Sequence, residues 1–76
     1  MKEALVFEIF KDVLKIKEAV DPSTLVYNKF QGWDSIVHMA LVAALESKFD
    51  IMFEADEIIN MSSFAEAVKI VEKHTT

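Results

Sequence analysis

Side-chain chemistry in this 76-residue chain is concentrated at Asp34-Ser35-Ile36. Gly32, the only glycine, stands two residues before Asp34, and the longest stretch without a formal charge, Ser35 to Leu45, opens there. A helix is therefore predicted to begin at about Ser35 and run to about Phe49. Asp34 and Ser35 are both favoured capping types that accept bonds from the first unpaired N–H groups of a helix. A hydroxyl in that position sits at the positive end of the helix dipole, beside unpaired amides. The chemistry that suits it is a phosphate ester. The plainer reading of the same residues is a helix cap and nothing more.

Few other residues compete for a chemical role. The chain has no cysteine, which excludes a disulfide framework, a thiolate metal site and a protein thiol nucleophile. Its two histidines, His38 and His74, are too far apart in sequence to suggest zinc. His38 follows Ser35 by one helical turn, but the sequence places no acid to orient it as a base, so a partly buried, hydrogen-bonded histidine is expected. Trp33 is expected to pack as a lid over the same helix, with contact to a partner as the alternative. Glu54, Asp56 and Glu57 cluster without the spacing of a calcium loop, and no metal site is expected.

The elements that must hold Ser35 can be read from periodicity. Val6, Ile9, Phe10, Val13 and Ile16 recur at helical spacing and predict a first amphipathic helix over residues 3–16. Pro22, the only proline, ends it by about Val20, and a long connection over 17–33 follows, anchored on Leu25, Val26, Tyr27 and Phe30. On the second helix, His38, Leu41, Val42, Leu45 and Phe49 form the core stripe, while Ile36, Met39, Ala43, Glu46, Ser47 and Asp50 face away. Glu54 to Ile59 fits a short third helix stopped near Asn60. Ser63 with Glu66 makes a capping box for a last helix with Phe64, Ala67, Val68 and Val71 inward, and His74-Thr75-Thr76 is expected to fray. With 53% hydrophobic residues, one domain over residues 1–76 has enough apolar mass for a small core.

From Gly32 to Ile51 the chain reads GWDSIVHMALVAALESKFDI, and this block resembles the acyl and peptidyl carrier proteins. The resembling motifs are Asp34-Ser35-Ile36 and the ending Leu45-Glu46-Ser47-Lys48-Phe49-Asp50-Ile51. The helix order, the long first loop and the final helix correspond as well. The resemblance implies an all-α, four-helix bundle of acyl-carrier-protein type with a short third helix and a long first loop. It implies a non-catalytic protein that a phosphopantetheinyl transferase loads from coenzyme A, with 4'-phosphopantetheine attached to Ser35 and flanked by Asp34 and Ile36. The arm then carries an acyl or aminoacyl thioester, supplied by a loading ligase or transferase and passed to downstream acyl-accepting enzymes. In the family some carriers shelter the cargo between helices, and Leu41, Val42, Leu45, Ile58 and Ile59 are the residues that would line such a space; packing as ordinary core is the expected alternative. Val37, Ala40 and Ser47 stand where the second helix of fatty-acid carriers often has acids, so partners outside fatty-acid synthesis are expected.

The charge pattern adds a surface to this reading. Asp34, Glu46, Asp50, Glu54, Asp56 and Glu57 supply six negative charges and Lys48 one positive, a balance equal to the chain's net −5, so everything outside residues 34–57 cancels. Such a field favours basic partner surfaces and repels nucleic acid. Ile36, Met39 and Ala43, rimmed by Glu46, Glu54, Asp56 and Glu57, are the expected docking surface. The eleven-residue uncharged run is too short for a bilayer span, and Glu3 and Glu8 interrupt any secretory signal, so a cytoplasmic monomer without membrane contact is expected. The alternative function is a small acidic helical interaction module in which Ser35 is only a cap.

Overall fold

The computed structural model describes residues 2–75. Four α-helices follow one another, α1 (Glu3–Leu14), α2 (Ser35–Phe49), α3 (Ala55–Asn60) and α4 (Phe64–Thr75), with one 3-10 turn at Pro22–Thr24 inside the first loop. Among the described residues there is no strand, only an isolated bridge between Val26 and Ser63. The all-α arrangement with a short third helix and a long first loop is the expected one.

α1 turns Val6 and Phe10 into the core and rests Ile9 and Val13 against it. It ends at Leu14, two residues before the predicted limit, because Lys15 adopts a left-handed conformation with φ 58°. The Ile16 N–H then closes back on the Lys11 carbonyl at 2.9 Å, the ending usually made with glycine. α2 stops in the same way, with Asp50 at φ 55° and Ile51 N–H on the Glu46 carbonyl at 3.1 Å.

Residues 17–33 are pinned at several points. Asp21 caps the 3-10 turn through a bond from Ser23 N–H at 3.0 Å, and Leu25 beyond it is fully buried. Tyr27 N–H donates to the Ser62 carbonyl at 2.8 Å and Phe64 N–H to the Leu25 carbonyl at 2.9 Å, tying the loop to the α3–α4 connection. The loop then turns through Gly32 at φ 95°. A Cβ built on Gly32 would touch nothing within 4 Å, so the need for glycine there is conformational. Gly32→Ala is accordingly expected to cost about 1 kcal/mol of stability, read from thermal or urea unfolding, although no clash is introduced.

The core gathers around aromatic rings. Trp33 is only 1% exposed, so the lid expected over α2 is a full core member. Phe10 meets it edge-on at 5.2 Å, and Phe64 meets both Phe10 (5.3 Å) and Phe7 (5.5 Å) in the same way. Leu41, Val42 and Leu45 from α2 and Phe64, Ala67, Ile70 and Val71 from α4 complete the interior; Val68 lies at its margin and Ile70 takes the inner place. Of the five residues named for a cargo space, Leu41, Val42 and Leu45 are packed core and Ile58 rests against it, the expected alternative, whereas Ile59 is 78% exposed and departs from it. The end of α4 does not fray through Thr75: His74 stacks on Phe53 at 6.1 Å and Thr75 Oγ1 donates to the Val71 carbonyl at 2.8 Å. Thr76 lies outside the described residues.

Candidate functional site

α2 begins at Ser35 because Asp34, in an extended conformation, closes its first turn. The Asp34 carboxylate accepts the Val37 N–H at 2.9 Å, and its carbonyl accepts the first helical bond, from His38 N–H, at 2.8 Å. Asp34 is thus the cap, and Ser35 is left with none of that duty. Ser35 is exposed, and no described residue hydrogen-bonds its hydroxyl. The Ser35 and Ile36 amides have no acceptor among the described residues either. A hydroxyl that holds nothing, beside two available N–H donors at the positive end of a fifteen-residue helix, fits a phosphate ester without breaking any existing bond.

The two neighbours that the sequence left ambiguous are committed to each other. Trp33 Nε1–H donates to Nδ1 of His38 at 3.1 Å. An indole N–H can only donate, so Nδ1 is bare and the proton of the neutral ring is on Nε2. Nε2–H in turn donates to the Ile58 carbonyl at 2.7 Å, in the last turn of α3, where helix carbonyls lack partners of their own. Both ring nitrogens are spent, and His38 has no lone pair left to act as a base towards Ser35. It is the partly buried, hydrogen-bonded histidine expected from the sequence.

The surface beside Ser35 is apolar. Ile36 is 79% exposed, Met39 53% exposed, and Ala43 is exposed on the same side of α2. Met52 and Ile59 are further large apolar residues on the outside that sequence reasoning did not assign to a surface. Both belong to segments too short for their periodicity to be phased.

The acidic rim needs two corrections. Glu57 is only 6% exposed, so it does not belong to a docking surface. Its carboxylate accepts Glu54 N–H at 2.9 Å, Lys73 Nζ at 2.9 Å and His74 Nε2 at 2.8 Å, which closes the start of α3 and moors that helix to α4. The bond from the Glu54 amide, followed by those from Lys73 and His74, lowers its pKa to about 2. Glu46 is half-buried and its Oε2 accepts Phe53 N–H at 2.8 Å, so it is a structural acceptor as well as a rim charge. Glu54 and Asp56 are exposed, as expected. The only foresight available for Glu57 was its spacing from Glu54, which is that of a capping box; Lys73 and His74 are sixteen and seventeen residues away.

Among the described residues no helix is long and apolar enough to cross a membrane. Comparison with curated proteins and with solved structures finds no match. A model of the phosphopantetheine attachment site matches residues 4–71, from the first turn of α1 to Val71 in α4. The chain therefore belongs to the phosphopantetheine-attachment family, non-catalytic carrier proteins that hold a covalent 4'-phosphopantetheine and work with phosphopantetheinyl transferases and biosynthetic enzymes.

Proposed function

We propose that Ser35 is the attachment point and that the chain presents an acyl or aminoacyl group to a loading ligase or transferase and then to acyl-accepting enzymes. The observation that carries this reading is the Ser35 hydroxyl, exposed and unbonded at the start of α2 while Asp34 alone caps the helix. The phosphate would sit against the Ser35 and Ile36 amides, and the arm when bound supplies the thiol that this cysteine-free chain lacks. The residues of the chain itself do no bond chemistry. Asp34 fixes the helix start, the amides stabilise negative charge, and α2 offers the address by which partners find Ser35. With Leu41, Val42 and Leu45 packed in the core, the cargo rides outside it.

Intact mass after incubation with coenzyme A and a broad-specificity phosphopantetheinyl transferase tests the reading. One phosphopantetheine group should be gained per chain. A mass that never changes with a transferase active on a control carrier would sink it, and would favour the interaction module or a carrier fold that has lost modification.

The docking surface makes its own prediction. Ile36→Ala should change stability by less than about 0.5 kcal/mol, since the side chain contributes little to the core, while slowing modification several-fold. For the rim charge, Glu46→Gln is the informative variant, because an amide oxygen still accepts Phe53 N–H while the charge is gone. Its effect should lie in the association rate and shrink as salt rises. Parent rates for both variants would place transferase docking elsewhere.

A further inference from the structure

His38 stands between the loop that delivers Ser35 and the short helix α3. It receives Trp33 from the loop and gives to Ile58 on α3, and it can do both only as the neutral ring with its proton on Nε2. The Trp33 indole is buried, so its N–H has no water to turn to if this acceptor is withdrawn. A proton added to His38 can go only to Nδ1. There it would set two donors against each other across 3.1 Å while leaving the Ile58 bond in place. Protonation therefore breaks one leg of the relay, the leg to Trp33, which precedes the Asp34 cap by one residue.

Among the described residues no carboxylate forms an ion pair with the His38 ring. From the loop it faces the Tyr27 ring, at 5.0 Å between centroids, and the Trp33 indole. From α3 it faces the Ile58 carbonyl. One turn back, at the cap of α2, Asp34 is exposed and its Oδ1 accepts Val37 N–H. The carboxylates at the start of α3 are directed elsewhere, Glu57 to Lys73 and His74 and Glu54 to the Glu57 backbone N–H of the capping box, while Asp56 is exposed.

We propose that neutral His38 is the positioning residue of the attachment site: it holds Trp33, and through it the turn that sets Asp34 and Ser35, and its protonation releases that turn and slows modification of Ser35. The effect on modification rests on Ser35 being the attachment point; the effect on Trp33 does not. The loop bonds at stake are Asn28 N–H to the Trp33 carbonyl at 3.2 Å and Trp33 N–H to the Phe30 carbonyl at 3.1 Å.

The experiment follows the full chain by ¹⁵N NMR as the pH is lowered from 8 to 5. Trp33 is the only tryptophan, so its indole N–H resonance reports the bond without ambiguity. At pH 8 the His38 ring nitrogens should show a bare Nδ1 and a protonated Nε2. On acidification the indole resonance should move with the His38 titration, and the Asn28 and Trp33 amides should exchange about tenfold faster after correction for intrinsic rates, the factor carried by one lost hydrogen bond of this kind. His38→Gln can keep both bonds, accepting through its amide oxygen and donating through its amide nitrogen, and it cannot titrate. Its loop should be protected equally at both pH values. His38→Phe keeps a ring and loses both bonds, and its loop should exchange fast throughout.

Modification is then compared as the ratio of wild-type to His38→Gln rates at each pH, in which the pH profile of the transferase itself cancels. That ratio should fall several-fold towards pH 5. A proton on Nδ1 at pH 8, an indole resonance that ignores pH, or the same pH response in His38→Gln would overturn the proposal. Absence of any modification at any pH, with the Trp33 response intact, would instead indict Ser35 as the attachment point. Should His38→Gln fail to fold, the tautomer and the wild-type titration still decide the matter.

Discussion

Ser35→Ala is expected to abolish phosphopantetheine attachment completely and to leave thermal stability almost unchanged. The second half of that expectation is what makes the first informative. Serines at helix starts usually earn their place by capping, and replacing such a cap by alanine costs about 1 kcal/mol. Here the cap is Asp34, whose carboxylate holds Val37 N–H at 2.9 Å, and Ser35 is the first residue inside the helix. Its hydroxyl holds no described group, and alanine is the better helix former by about half a kcal/mol. The net change should lie within about 0.5 kcal/mol of zero, about 2–4 °C in melting temperature at most for a domain of this size.

Ser63 supplies the contrast. It sits just before α4, and its Oγ accepts Glu66 N–H at 3.2 Å, so Ser63→Ala should lose about 1 kcal/mol and keep full modification. The two serines thus exchange roles: one is spent on structure and the other is free for chemistry. Intact mass and thermal melting of both variants, with coenzyme A and a competent transferase, read this directly. An adduct on Ser35→Ala, or a melting temperature that falls as far as that of Ser63→Ala, would show that the roles were assigned wrongly.

The same contrast explains what the sequence made legible. Asp34 before α2 and Ser63 before α4 act within three residues of themselves, so composition and spacing placed both helix starts correctly. α2 itself runs from Ser35 to Phe49, the span predicted for it. The ends were harder. Lys15 closes α1 in a left-handed conformation that glycine would have announced and lysine does not. Ile59 illustrates a limit of periodicity: a six-residue helix makes fewer than two turns, too few to say which of Ile58 and Ile59 points inward, and the structure turns Ile59 out. His38 could be placed beside Ser35 by counting, but its tautomer depends on the Ile58 carbonyl twenty residues on. Glu57 was misread for a related reason. Within its own segment it is one acid among three, and only the fold brings the end of α4 against it.

Glu57→Gln is therefore the stability prediction with the largest expected effect. The carboxylate takes three donors, from the Glu54 amide, Lys73 and His74, and only 6% of the residue is exposed. Glutamine keeps the shape and one acceptor oxygen, but its amide nitrogen must face donors, and the charge that suits Lys73 is gone. Hydrogen bonds to charged groups contribute about 1.5–3 kcal/mol when buried; the Lys73 share is discounted because its side chain is 71% exposed and screened. A loss of about 1–3 kcal/mol is expected, against a total of about 4–11 kcal/mol for a domain of this length. The sign with pH follows from the lowered pKa. The folded value of about 2 lies below the ordinary 4.5, so the folded state favours the ionised form. The contribution is fully present above pH 4.5 and is lost as pH falls from there towards 2. Wild type should accordingly lose stability across that window, while Glu57→Gln starts lower and declines less steeply. Urea unfolding of both proteins at steps between pH 7 and pH 2 measures the difference, which should be greatest at neutral pH and shrink towards zero at the acid end. Parallel curves for the two proteins would mean that Glu57 carries none of the acid sensitivity, and that α3 is held to α4 by packing of Phe53 on His74 rather than by charge.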